Sequence, residues 1–214
     1  MEKTAEPEEQ SRPQGRPRDE AVRQKILAAG LELLEAVGFA RVTCDAIAER
    51  SGASKATIYR WWPNKAAVLI DAFAQSIAPE LEPPEVPTIE EYVRVQLRRF
   101  SKVLLGRNGR LRAALIAAAQ DDPEVAAAFV SHWVEPRRAL SRKALRRYQN
   151  EGQVPEDFDV DVVLDAMYGP LQFLLMVRHG KPNQAYADGL ASLLLHGFLP
   201  RAAAGRAIHA GAQK

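Results

Sequence analysis

The chain of 214 residues carries a single cysteine, Cys44, which excludes an intrachain disulfide and fits a reducing compartment. Charge of one sign is also missing. Lys and Arg number 29 against 27 Asp and Glu, so a net charge of +2 announces no nucleic-acid or acidic partner in bulk. Long apolar runs are absent: Leu171–Val177 is far short of the roughly eighteen residues that span a bilayer. The first twenty residues are charged and Pro-rich rather than apolar, which argues against a secretory signal. These absences predict a cytoplasmic protein that enters no membrane. The four histidines, His132, His179, His196 and His209, lack metal-ligand spacing, so neither metal nor cofactor is expected. Gly106-Arg107-Asn108-Gly109 lacks the strand and lysine of a phosphate loop and reads as a turn. No Ser/His/Asp set stands out, and the acids at Asp121, Asp122 and Glu156–Asp161 fall at helix starts, where capping explains them. An enzyme is therefore not expected.

What is present is helical throughout. The apolar share of 47% is ample for a core, and neither strand alternation nor an internal repeat is visible. Residues 1–18 are read as a disordered arm: Met1–Gly15 holds no apolar periodicity, and the basic piece Arg16-Pro17-Arg18 follows. Val22, Ile26, Ala29, Leu33 and Val37 then fall on one helical face, which Gly38 stops. Two short helices are predicted over Cys44–Ser51 and Lys55–Trp61, and Pro63 ends the second. Asn64 caps a further helix through Ile77, and Pro79–Pro87, with four prolines, reads as a linker. The rest is a series of helices. One runs from Ile89 to Leu104 and one passes through Leu111, Leu115 and Ala118. Another opens at Asp122-Pro123 and is kinked or split by Pro136. A fourth covers Val160–Leu174, interrupted by Gly169-Pro170, and the last carries Tyr186 to Phe198. The predicted organisation is an all-α fold: a helix-turn-helix unit with its connecting helix over 19–78, a larger helical unit over 79–200, and a flexible tail over 201–214.

The stretch Thr43–Lys65 is the most informative. Gly52 permits the tight turn between two short helices, and Ala48 is small enough for the second to cross closely. Ser54 caps that second helix and is counted with Trp61 among the expected DNA-contacting residues, and Ile58 points into the core. Lys55, Ala56, Thr57, Tyr59 and Arg60 are left outward, suited to phosphates, base edges and thymine methyls. One ring of the Trp61-Trp62 pair wedges into the core and the other lies near the backbone. Locally, Arg41, Arg50, Lys55, Arg60 and Lys65 outnumber Asp45 and Glu49. Lys65 follows the cap of the next helix, so its ammonium and that helix's N-terminus together suit one phosphate. Arg16 and Arg18 suit a minor-groove arm or, equally, a solvated tail.

The pattern Thr43-x-x-x-Ile47-Ala48-x-x-x-Gly52-Ala53-Ser54-x-x-Thr57-Ile58-Tyr59-x-x-Trp62-x-x-Lys65 resembles the tetracycline-repressor (TetR) family of bacterial transcription regulators. The likeness is close over Ala21–Ala72. Ser51, Ala53 and Ala66 stand where the family usually has Ala, Val and Glu. The resemblance implies an all-helical homodimer with this unit on double-stranded DNA and the larger unit binding an effector. It further implies phosphate contacts at Thr43, Tyr59 and Lys65, and base or backbone contacts at Lys55, Thr57 and Arg60.

In the C-terminal half, Gly169-Pro170, Asp188-Gly189-Leu190 and Leu194-Leu195-His196-Gly197-Phe198 resemble one subgroup whose last two helices pair between subunits. Leu171, Leu174, Leu175, Leu190, Leu193 and Leu194 give more apolar face than a surface hairpin needs, and Gly189 and Gly197 permit close approach. Those residues are the expected dimer interface. Aromatic and isolated polar positions suggest an effector pocket of Gln96, Phe100, Phe129, His132, Trp133, Tyr168, Gln172, Phe173 and Met176. With no dense charge in these rows, the effector is expected to be apolar or aromatic. The basic run Arg137, Arg138, Arg142, Lys143, Arg146, Arg147 reads as a solvated face, and Cys44 as a small packing residue. A ligand-responsive repressor on an inverted-repeat operator is thus expected. The alternatives are an architectural DNA-binding protein and a helical ligand-binding enzyme carrying a DNA module.

Overall fold

The computed structural model describes residues 16–197, with side chains from Glu20 onward. The disorder expected for Met1–Gly15, the placement of Phe198 and the flexible tail over 201–214 lie outside the described residues. Within them the chain forms ten α-helices and no strand.

The head is built by local signals. Helix α1 (Arg16–Val37) takes in Arg16-Pro17-Arg18 as its first turn and ends at Gly38, where φ is 77°. A short 3₁₀ turn (Phe39–Arg41) leads to α2 (Cys44–Ser51), whose first turn is capped by the Thr43 hydroxyl accepting from the Ala46 amide at 3.1 Å. Gly52, at φ 70°, makes the left-handed turn that residues with a Cβ adopt only with strain. Ser51 reinforces that turn, since its Oγ donates to the Ala48 carbonyl and accepts from the Ala53 amide. Helix α3 (Lys55–Trp61) starts at Ser54, whose Oγ accepts from the Thr57 amide at 3.1 Å. Ile26, Leu34, Val42, Ile47, Ile58 and Trp62 close the core of the head.

Helix α4 (Lys65–Leu81) is capped by Asn64 and is apolar nearly all round in its first half: Ala66, Ala67, Val68, Leu69, Ile70, Ala72 and Phe73 are all buried. A helix so patterned must be packed on more than one side. It lies against α1 in the head and against α5, α6 and α7 in the body. Its far end departs from the expected linker, because Pro79 sits inside the helix. The last turn survives through tertiary anchors. Leu81 is buried and its carbonyl accepts from Arg137 and Gln96, while the Glu82 carbonyl accepts from Arg99.

The body comprises α5 (Ile89–Val103), α6 (Gly106–Asp121), α7 (Pro123–Phe129), a π-helical turn (Val130–Val134), α8 (Glu135–Asn150), α9 (Val160–Val177) and α10 (Gln184–His196). Residues 106–109, read as a turn, instead open α6. Gly109 is obligatory there, since an added Cβ would stand 1.9 Å from the Leu104 carbonyl oxygen. The split at Pro136 takes the form of the π turn. Proline has no N–H for the carbonyl four residues back, and just before it the Glu135 amide reaches five residues back to Val130.

Helix α9 is continuous, against the expected interruption at Gly169-Pro170. One lost backbone bond is outweighed by burial of Leu164, Met167, Leu171 and Leu174. By length and a mean hydropathy of 1.5, α9 is able to cross a membrane, which the short apolar run Leu171–Val177 had not suggested. Here it packs against α5, α6, α8 and α10.

Asp71 on α4 ties the halves of the head together. Its Oδ2 accepts from Arg23 Nη2 of α1 at 2.7 Å and from Trp62 Nε1 at 3.0 Å, with both charged side chains largely out of solvent. Asp71→Ala is expected to lower stability by about 1–3 kcal/mol, and Asp71→Asn, which keeps an acceptor for Trp62, by less. Urea titrations followed by circular dichroism check the order.

Candidate nucleic-acid interface and internal cavity

The outward face of α3 presents Lys55, Ala56, Tyr59 and Arg60, with Tyr59 53% exposed. Thr57 is half-buried and its hydroxyl shares a 2.8 Å hydrogen bond with Ser54, which caps the helix. Lys55 Nζ pairs with Asp45 Oδ1 of α2 at 2.5 Å, and that carboxylate holds the ammonium above its usual pKa. Tyr59 is likewise raised, first by its hydrogen bond with the Cys44 thiol. The α2–α3 corner therefore keeps its polar groups on one another in the free protein. Thr43 is exposed at the same edge; its cap uses an oxygen lone pair and leaves the O–H to donate.

Two expected contacts sit elsewhere. Trp61 lies three residues after Ile58, on the inward row of α3, and is half-buried. It lines a cleft between head and body with Arg23, Asp71, Gln75 and His132, and Arg23 stands over its ring at 5.9 Å. Lys65 Nζ donates to the carbonyls of Phe39, Ala40 and Val42 at 3.2, 3.3 and 2.9 Å. Its three N–H groups thus lock the 3₁₀ turn onto the start of α4, and a phosphate contact requires giving one of them up. Arg16 and Arg18 contribute backbone to the first turn of α1.

The body forms a cavity of about 330 Å³ between the end of α4 and α5, α6, α7, the π turn, α8 and α9. Gln96, Phe100, Phe129, Trp133, Tyr168 and Gln172 all line it. Three expected residues do not. His132 faces the head–body cleft, while Phe173 and Met176 stand on the outside of α9, 59% and 39% exposed. Phe173 lies on a different row from Leu171 and Leu174, and helical spacing carries that distinction.

Sequence reasoning also missed the cavity's cations. Arg112 is buried among aromatic rings. Its guanidinium carbon stands 4.6 Å from the centroid of Trp133 and 5.6 and 5.5 Å from those of Phe100 and Phe129, and its Nη2 donates to Gln172 Oε1 at 2.8 Å. Burial alone lowers its pKa to about 9. The signal was present in α6, where Arg112 is three residues from both Gly109 and Leu115 and so shares their buried row.

The basic run is likewise not a uniform solvated face. Arg137 lines the cavity with its pKa lowered by burial, while Arg138 is bound by Asp165 and Asp161, and Arg142 by Glu135 and Asp161. These two arginines hold the Asp161 carboxyl below the usual carboxylate range.

Of the residues expected to pair subunits, Leu171, Leu174 and Leu190 are consumed by the chain's own core. Leu193 and Leu194 are exposed at 45% and 37%, and on α9 Phe173, Met176 and Val177 are exposed as well. Gly189 and Gly197 are exposed and Leu175 is half-buried. Among the described residues, no group of three or more His, Cys, Asp or Glu is placed to hold a metal ion.

Comparison with known proteins bears on both halves. Residues 26–72 match the family model described as bacterial regulatory proteins, tetR family, and residues 83–194 match the tetracyclin repressor-like C-terminal domain. The chain is 35% identical over 176 residues to the uncharacterized HTH-type transcriptional regulator YdeS of Bacillus subtilis, covering 82% of this chain and 89% of that one. The crystal structure of the TetR family transcription regulator SCO0332 superposes with a TM-score of 0.76 at 34% identity, over 84% of this chain and 99% of that one. Thermus thermophilus FadR, a TetR-family repressor crystallised with lauroyl-CoA, shares the fold at a TM-score of 0.63 and 24% identity, over 84% and 96% of the two chains. With both of its halves matched, the chain belongs to the tetracycline-repressor-like (TetR) family, whose members are DNA-binding, ligand-responsive regulators rather than enzymes.

Proposed function

We propose that this protein is a cytoplasmic repressor that binds an inverted-repeat operator as a homodimer and leaves it when a small, largely apolar effector enters the cavity. One observation carries the reading: Trp133, in the cavity wall, packs on Phe73 of α4 with ring centroids 5.7 Å apart. The same helix is bonded to the head through Asp71. A ligand that shifts Trp133 acts directly on the helix that carries the reading unit. Asn64, at the start of α4, also donates to Glu124 of α7 at 3.3 Å, which gives the body a second grip on that end. Effector binding then favours a state in which α4 tilts and the spacing of two recognition helices is lost; a ligand with equal affinity for both states changes nothing. The FadR complex with lauroyl-CoA supports a ligand site within this fold.

Pairing through α9 and α10 is the natural dimer arrangement, with Phe173, Met176, Val177, Leu193 and Leu194 as the apolar contacts. Two half-sites give a short recognition helix its specificity. On each half-site, Lys55, Tyr59, Arg60, Thr57 and Thr43 supply the contacts. Lys55 first exchanges the Asp45 carboxylate for a phosphate or base edge.

Selection from a randomised duplex pool is expected to enrich an inverted repeat. A pool with no enriched repeat contradicts the reading, whereas equal affinity for random DNA points to an architectural protein. Lys55→Ala and Tyr59→Ala are each expected to weaken operator binding about tenfold or more while the thermal melt stays unchanged. Asp45→Asn frees Lys55 and removes a negative charge from the DNA face. It is expected to tighten binding by roughly two- to fivefold in low salt, read by fluorescence anisotropy.

A further inference from the structure

Arg112 is the least ordinary side chain in the molecule. It is 2% exposed, yet its Nε and Nη1 have no hydrogen-bond partner and its third nitrogen meets only a neutral amide, Gln172. A buried cation without a counter-charge is costly unless something pairs with it. Among the described residues no acid supplies such a pair. The one acid on the cavity wall, Asp165, is already bound to Arg138, and its side chain is 70% exposed. The faces of Trp133, Phe129 and Phe100 attract the cation but cannot accept the in-plane N–H bonds of a guanidinium. Arg137 adds a second positive charge to the same wall. The Gln172 carbonyl fixes one edge of the Arg112 plane. The unpartnered N–H groups of a buried guanidinium suit an anion.

We propose that Arg112 anchors the carboxylate of the effector, which is therefore a small organic acid with a ring-bearing or branched apolar body. The inference rests on the reading of the cavity as the effector site and refines the chemistry expected there. Phe100, Phe129, Trp133 and Tyr168 take the apolar body. The cavity, about 330 Å³, lies at the low end of the roughly 300–1,000 Å³ usual for ligand sites, which favours a compact acid. A neutral ligand of the same shape leaves the guanidinium without a counter-charge and binds more weakly. Carboxylate binding also draws Arg112 and the Trp133 ring it stacks on toward a new position, next to Phe73 of α4.

The test uses the full-length protein and pairs of compounds differing only at the head group: phenylacetate, 3-phenylpropionate and 4-methylpentanoate against their primary amides. Binding is read by isothermal titration and by tryptophan fluorescence. At least one acid is expected to bind roughly tenfold or more tightly than its amide. Arg112→Met is expected to bring acid and amide to about the same affinity. The unliganded variant is expected to melt no lower than the wild type, since it loses an unpaired buried charge.

Equal binding of acids and amides to the wild type, no binding of any of the three acids, or a preference that survives Arg112→Met overturns the proposal. If the variant does not fold, the wild-type comparison decides alone. Operator affinity measured with the same compounds separates the two readings. Amides that release the operator as well as the acids do sink the anion site and leave the regulator intact. Acids that bind through Arg112 without altering operator affinity leave the anion site standing and sink its regulatory role.

Discussion

Everything in this molecule leans on the burial of one helix from two sides. Helix α4 brings Val68, Leu69, Ile70 and Phe73 out of water entirely, and no single neighbour covers them all. Helix α1 takes one side and the body helices α5 and α7 with the π turn take the other. The buried side chains of head and body consequently form one continuous cluster, running from Ile26 in α1 to Leu190 in α10. The head shares this support with the body and has no buried cluster separate from it. A protein that must transmit a signal from its interior to a DNA-facing surface needs such a joint, because two independently packed domains on a flexible tether have no means of passing strain.

The cavity is arranged around that joint. Its wall includes the π turn, where the chain is widened next to Pro136, and the widening puts Trp133 between Arg112 on one side and Phe73 on the other. Tyr168 meets Phe100 edge to face at 5.0 Å across the same space. The C-terminal turn of α4 is held by Arg137, itself part of the cavity lining. Both the middle and the end of α4 are therefore in touch with whatever occupies the cavity. The body's outer frame is held apart from this by ion pairs at its surface, such as Arg98 with Asp188 between α5 and α10 at 2.5 Å. Pairs this exposed fix geometry more than they add stability.

How much of this was legible in the sequence follows from how local each determinant is. The bounds of α2 and α3 follow from Thr43, Gly52, Ser54 and Asn64, whose capping and turn chemistry acts within three or four residues. The inward row of Ile47, Ile58 and Trp62 could be read from spacing. Pro79 and Pro170 misled because both helices continue through their prolines on the strength of distant partners, Arg137 and Gln96 for α4 and the buried leucines for α9.

The cavity was half legible for the same reason. Aromatic positions announced themselves by type. Which of them face inward depends on the rotation of α9, and this put Tyr168 inside and Phe173 outside. Arg112 is hard to place from sequence because arginine is so seldom buried; the rings of three other helical segments and the Gln172 amide hold it there. Lys65 shows the converse, a residue whose family role suggested phosphate but whose own geometry serves three backbone carbonyls first.

The central claim, that α4 makes head and body a single cooperative unit, is open to direct measurement by native-state hydrogen exchange resolved to the individual helices, at increasing sub-denaturing urea. The buried amides of α1, α4 and α5 are expected to share one opening free energy with one urea dependence. Exchange of α1 through α3 in a separate, lower-energy opening, with α4 and α5 still protected, contradicts the account.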